Sequence, residues 1–235
     1  MKITLLTGKI YNLQNAFDFP LEVKKSLRAT KLSLKIDTKK HIPVLTIPPF
    51  CSEKKALKFV KEHEIWVQNA LLRTPEIRKF TDGEKISLFG KEITIKHQPG
   101  QRGTIVENDF LLVGGDVEFL HRRVKDYIKK QAKNEFWIRS KKMAELLHKP
   151  LKSISIKDTK SRWGSCSSLG NINYNWRIAL APEFVIDYLM AHEVSHLKHQ
   201  DHSSEFWACV KSLCPDMEHG NAWLKKFGKN LNIYE

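Results

Sequence analysis

The sequence predicts an α+β protein, rich in strands in its N-terminal part and helical with a few strands in its C-terminal part. Two observations carry this. Up to Gly114-Gly115 the apolar residues fall in short runs, several alternating with period two, punctuated by Gly, Pro, Asn and Asp. Beyond that point Leu120, Val124, Ile128, Ala132 and Phe136 recur every four residues, the spacing of one buried helix face. The change of pattern near residue 115 suggests two domains, 1–115 and 116–235. A chain of 235 residues can bury a core without disulfides or a structural metal. With 41% hydrophobic and 28% charged residues it has a globular composition, which excludes a disordered chain.

The elements follow in order. Leu21-Glu22-Val23, Leu32–Ile36 and Pro43–Ile47 read as strands, the last stopped by Pro48-Pro49. Ser52 is placed to cap a helix from Glu53 to about Leu72, with Ala56, Phe59, Val60, His63 and Val67 at helical spacing and Thr74-Pro75 ending it. A meander comes next: Asp82-Gly83 turns, Ile86–Leu88 extends, Gly90-Lys91 turns and Ile93–Ile95 extends. Thr104–Val106 and Phe110–Val113 flank a turn at Glu107-Asn108-Asp109. The long helix runs from Glu118 to about His148, and its stripe of Arg122, Lys125, Lys129 and Lys133 is expected to face solvent. Ile154–Ile156 and Asn171–Trp176 read as strands, and Pro182 opens a helix to about His199. Residues 203–227 read as two helices broken near Cys214-Pro215.

Composition narrows the setting. The four cysteines are scattered and form no C-x-x-C pair, so neither a disulfide framework nor a Cys-rich metal module is expected. The start carries only the short apolar run Ile3-Thr4-Leu5-Leu6, unlike a secretory leader, and no run approaches the roughly 20 apolar residues of a membrane span. A reduced, cytoplasmic protein with no membrane partner is the expectation. The net charge is +14, and on either side of residue 117 the chain carries 20 Lys and Arg against 13 Asp and Glu, hence +7 each. Charge so evenly spread favours solubility, and it leaves room for a nucleotide or nucleic acid as a partner.

The sharpest chemical signal is His192-Glu193-Val194-Ser195-His196. Residues four apart on a helix are only about 40° out of line, so two imidazoles at this spacing can bind one metal. Glu193, about 100° round from His192, can reach a water on that metal without being a ligand. The metal lowers the pKa of the water and the carboxylate takes its proton. A hydrolytic site needs a third protein ligand and an open position. His199, His202, Glu205, Glu218 and His219 are the candidates. His202 is favoured, because a bend at Gln200-Asp201 returns it toward the pair, whereas three ligands along one straight helix spread over about 10 Å. This nitrogen-rich set suits Zn²⁺.

A second block, Arg162-Trp163-Gly164-Ser165-Cys166, precedes that helix, followed by Asn175-Trp176-Arg177 and Ala181-Pro182. Cys166 reads as a small packing residue. With HEVSHLKHQDHSSEFW, and with Phe80-x-Asp82-Gly83-Glu84 and Leu88-x-Gly90 upstream, these blocks resemble the YgjP-like metal-dependent hydrolase family, itself similar to the SprT-like and WLM zinc peptidases. The resemblance covers most of the chain. It implies zinc ligands at His192, His196 and His202, a catalytic Glu193, and a zincin-like C-terminal part.

The reading that follows is a zinc-dependent hydrolase, most simply a metallopeptidase acting on a peptide or protein. Arg162, Tyr174 and Arg177 are candidates for substrate binding and for steadying the oxyanion, and the strand Ile172–Trp176 could pair with an extended substrate. Two alternatives compete with it. One is a metal-dependent nucleotide phosphohydrolase, since activated water also attacks phosphorus and Arg162 and Arg177 suit a phosphate. The other is a nucleic-acid-associated accessory protein.

Overall fold

The computed structural model describes the chain apart from residues 1, 2, 5–9, 12–16, 38, 39, 75, 160 and 235, with backbone alone at 3, 4, 10 and 11. The predicted helix stop Pro75 and the second half of the N-terminal apolar run, Leu5-Leu6, therefore lie outside the described residues. The fold is α+β, and it divides into two compact units, residues 1–77 and 78–235.

In the first unit β1 (Ile3–Thr4) and β2 (Ile10–Tyr11) form a small antiparallel pair. The strands β3 (Glu22–Lys25), β4 (Ser33–Asp37) and β5 (Ile42–Ile47) form a sheet ordered β3-β5-β4. Val23, Leu45 and Ile47 pack with Ala56, Val60 and Val67 into one apolar cluster. Those last three come from α1 (Glu53–Glu62) and α2 (Glu64–Arg73), where one helix was expected. Ser52 caps α1 as predicted, accepting from Lys55 N at 3.3 Å. The break is at His63, which leaves helical geometry (φ −110°, ψ 10°) while its Nδ1 hydrogen-bonds the Phe59 carbonyl at 2.8 Å.

The second unit begins with β6 (Lys85–Leu88), β7 (Lys91–His97), β8 (Thr104–Glu107) and β9 (Phe110–Val113), ordered β6-β7-β9-β8. Phe89 and Gly90, both at positive φ, make the two-residue turn between β6 and β7. The helix α3 (Leu120–Leu146) buries Leu120, Val124, Ile128, Ala132 and Phe136, the predicted face, and continues it with Ser140 and Ala144. The basic stripe is less solvated than expected, because Lys125 pairs with Asp158 at 3.3 Å. A second sheet combines β10 (Ser153–Lys157), β11 (Gly164–Cys166) and β12 (Asn171–Asn175) in the order β10-β12-β11. Strand β12 is thus central, parallel to β10 and antiparallel to β11, and both its edges are used. It cannot receive an extended substrate as the sequence suggested, and the outer strands are β10 and β11. Three helices complete the unit: α4 (Glu183–Ser195), α5 (Ser204–Leu213) and α6 (Met217–Phe227).

The division falls at residue 77 rather than 115 because the meander has no core of its own. Ile86, Ile95, Leu111 and Val113 belong to the same buried cluster as Val124 and Ile128 of α3 and Ile186 and Met190 of α4. Gly114-Gly115 is a tight bend inside that unit. A Cβ on Gly114 would meet the Gln101 carbonyl oxygen, and Gly115 has φ +74°. The C-terminus returns to the start of the unit, where Arg78 N donates to Ile233 O at 2.7 Å.

Candidate metal centre

Helix α4 is apolar on almost every side, as a helix enclosed by its own domain must be. Val185, Ile186, Met190, Ala191 and Val194 are fully buried. Arg139 of α3 ties its first turns down, reaching Asp187 at 2.6 Å and Glu183 at 3.0 Å, with Glu135 as a third partner at 2.7 Å. The helix ends sooner than predicted, at Ser195, with His196 as its C-cap. The chain then makes a tight turn, in which Lys198 N and His199 N both donate to Ser195 O at 3.0 Å. Asp201 Oδ1 accepts from Ser203 N at 3.3 Å, and Ser203 caps α5 by accepting from Phe206 N at 3.4 Å. This bend returns His202 to the α4 pair.

His192, His196 and His202 gather so that one potential ligand atom from each lies within 4.8 Å of the others. The Nε2 atoms of His192 and His202 are 3.3 Å apart. His196 Nδ1 contacts the His199 carbonyl at 3.0 Å. A carbonyl only accepts, so the proton is on Nδ1 and the Nε2 lone pair is free. His199 thus acts through its backbone. Phe206 forms the floor, with ring centroids 5.0, 4.5 and 4.7 Å from those of His192, His196 and His202. Trp207 stands beside His192 and His202 at 5.7 and 5.8 Å.

The rival third ligands are engaged elsewhere. Glu205 accepts from Ser204, and Glu218 pairs with Lys211 at 3.1 Å. His219 stacks on Phe184 at 4.1 Å and contacts Asp216 at 3.3 Å.

Glu193 is 4% exposed. Its carboxylate lies directly against the backbone of β11: a Cβ added to Gly164 would be 2.4 Å from Glu193 Oε1. Gly164 has no positive φ, so its role is to leave room. Burial pushes the Glu193 carboxyl up to about 8, against the opposing charge of Arg162. Burial, with the neighbouring His196 and His202, pushes His192 down to about 4. Burial also lowers His196, opposed by its bond to the His199 carbonyl. His192 and His196, both held toward the neutral form, beside a buried carboxyl that resists ionisation form a site that added positive charge would stabilise. Two imidazole nitrogens 3.3 Å apart can share at most one proton between them, and His192 Nδ1 is buried without a hydrogen-bond partner among the described residues. The donor set and its charge state fit a divalent cation.

A scan against protein families finds that a YgjP-like, metallopeptidase domain matches residues 30–227. The chain belongs to this family. No curated protein matches it significantly. A YgjP-like domain makes the protein a metal-dependent hydrolase with peptides or proteins as the expected substrate class. Among the described residues no helix is long and apolar enough to cross a membrane.

The other predicted site residues separate. Arg162 is exposed, near enough for its charge to act on Glu193. Tyr174 is fully buried on β12, where its hydroxyl pairs with Ser140 Oγ of α3 at 2.9 Å. Arg177 is 7% exposed and committed to structure. Its Nε and Nη2 donate to the Tyr234 carbonyl at 3.0 and 2.8 Å, and its Nη1 meets Asp158 at 2.5 Å. Burial alone would raise Asp158, but Arg177 and Lys125 override it and hold the carboxyl down at about 2. Cys166 is half-buried, and burial with the nearby Glu193 pushes its thiol up to about 11, which disfavours the nucleophilic thiolate. Gly164 and Phe206 were missed as site residues. Both stand in the quoted motifs, but only the fold shows what they touch.

Proposed function

We propose that the protein is a zinc-dependent peptidase in which His192, His196 and His202 hold the metal and Glu193 is the general base. The observation that carries this is the pairing of three convergent imidazoles with a buried carboxylate one residue along α4. A tetrahedral zinc with bonds of about 2.0–2.1 Å has ligand–ligand edges of about 3.3–3.4 Å. The 3.3 Å between His192 Nε2 and His202 Nε2 matches such an edge. Bound zinc would supply Lewis-acid polarisation of the scissile carbonyl and acidify water in the open fourth position.

The chain's own residues supply the rest. Glu193 accepts the proton of the attacking water on its carboxylate and passes it to the leaving amine nitrogen. Gly164 lets that carboxylate sit against β11. The outer edge of β11, paired on one side only, suits backbone pairing with an extended peptide. Trp163, Tyr188, Leu189 and Leu224 line a cleft of about 350 Å³ beside His192 and Glu193, giving a substrate apolar surface.

Metal analysis of the purified protein is expected to give about one equivalent of zinc. A panel of peptide, nucleotide and DNA substrates, with and without chelator, should show chelator-sensitive cleavage of peptides. Absence of any transition metal, before and after reconstitution, would remove the site. Cleavage of nucleotides alone would replace the peptidase by a phosphohydrolase. Gly164→Ala is expected to lower kcat/KM by about 100-fold, the scale of a 1 Å misplacement of a reacting group, with zinc content unchanged. An unaltered kcat/KM would mean the carboxylate does not depend on that space.

A further inference from the structure

Three concave regions share Trp163. One, of about 350 Å³, includes His192 and Glu193. A second, of about 320 Å³, runs along Arg162, Gly164 and Ser165. The third, of about 230 Å³, lies between Arg162 and Lys225. Four cations line them: Lys157, Arg162, Lys225 and Lys229. Among the described residues Glu193 is the only acidic one that does. None of the four cations has a carboxylate partner among the described residues. The carboxylate next to Lys157, Asp158, is taken by Arg177 at 2.5 Å and Lys125 at 3.3 Å. Unpaired cations on a concave surface concentrate positive potential there, and an anionic ligand neutralises it.

Two features favour a peptide carboxylate over a compact phosphate. The cations are spread along the groove, with Lys157 and Lys229 in different regions, as suits charges carried on an extended ligand. The same groove includes Gly164 and Ser165 of β11, whose outer edge offers backbone hydrogen bonds. Arg162 precedes Gly164 by two residues, a reach of at most about 7 Å along an extended chain. Gly164 itself abuts the Glu193 carboxylate.

We infer that the cleft selects peptides carrying a carboxylate, an Asp or Glu side chain or a terminal carboxylate, within about two residues of the scissile bond on the Arg162 side. This rests on the peptidase reading above. It makes Arg162, Lys225 and Lys229 specificity-determining residues.

The test uses zinc-loaded protein and quenched fluorescent octapeptides that differ at one position, bearing Glu, Gln or Lys at each of the two residues on either side of the cleaved bond. A Glu-to-Gln preference of about tenfold in kcat/KM is expected on one side only, with Lys poorer than Gln. The preference should fall several-fold in Arg162→Gln and in the double variant Lys225→Gln/Lys229→Gln, and should shrink at high salt. A parallel titration measures binding of the Glu and Gln peptides, and of inorganic triphosphate, to the Glu193→Gln protein. Equal cleavage and equal binding of Glu and Gln peptides would overturn the inference and leave the peptidase standing. Preferential binding of the Glu peptide without cleavage of any peptide would refute the peptidase and leave the acidic selectivity standing. Triphosphate binding more tightly than the Glu peptide, or no peptide binding at all, would overturn the selectivity.

Discussion

Glu193→Gln is expected to lower kcat by about 10²- to 10⁴-fold, the usual contribution of a positioned acid–base group, while zinc stays bound. The amide has nearly the shape of the carboxylate, so it can occupy the same space beside Gly164. It cannot accept the proton of the attacking water. It removes no imidazole, so the three candidate ligands and the Phe206 floor are untouched. Removing a carboxyl that burial has raised to about 8 also relieves an ionisation the protein disfavours, so the variant should be no less stable than the parent. Activity and zinc content measured on the same preparation decide the matter. Loss of zinc together with activity would make Glu193 a ligand, and full activity without the carboxylate would require another base.

The second large effect concerns the third ligand. His202→Ala is expected to weaken zinc binding well beyond the roughly 10- to 100-fold typical of losing an outer hydrogen-bond partner. His199→Ala should stay at or below that range. The geometry separates the two residues. The His202 Nε2 is 3.3 Å from that of His192, whereas His199 serves the site through its carbonyl, which holds His196 Nδ1 at 3.0 Å. Alanine retains that carbonyl. A zinc competition titration on both variants reads the difference, and the reverse order of affinities would falsify the assignment of His202.

The route by which His202 arrives shows why the two residues differ. His196 caps α4, and Gln200 donates its side-chain amide to the His196 carbonyl. Asp201 and Ser203 then fix the bend and start α5. That α5 delivers Phe206 under all three rings ties the ligand loop to the packing of the domain. Substitutions at Phe206 should therefore act on the site as well as on the core.

Much of this protein is legible in the order of its residues. The period-four series from Leu120 to Phe136 gives α3, because a helix repeats its faces at that interval whatever surrounds it. The pairing of His192 with His196, and the adjacency of Glu193, follow from helical spacing alone. The bend before Ser203 follows from local side-chain hydrogen bonds. These are short-range properties, and short-range properties survive without knowledge of the fold. The domain division, the fate of Tyr174 and Arg177, and the role of Gly164 depend on long-range packing. The meander of β6–β9 joins the later helices because its apolar face has nothing else to cover it. Tyr174 and Arg177 carry the residue types of a substrate site, yet Ser140, 34 positions away, and Tyr234, 57 positions away, claim their polar groups. Gly164 matters because a strand edge and a helix meet there at contact distance, with Glu193 between them. The sequence thus determined which chemistry the helix can present, and the tertiary structure alone decided which neighbours hold it in place, since those contacts join residues that no local pattern relates.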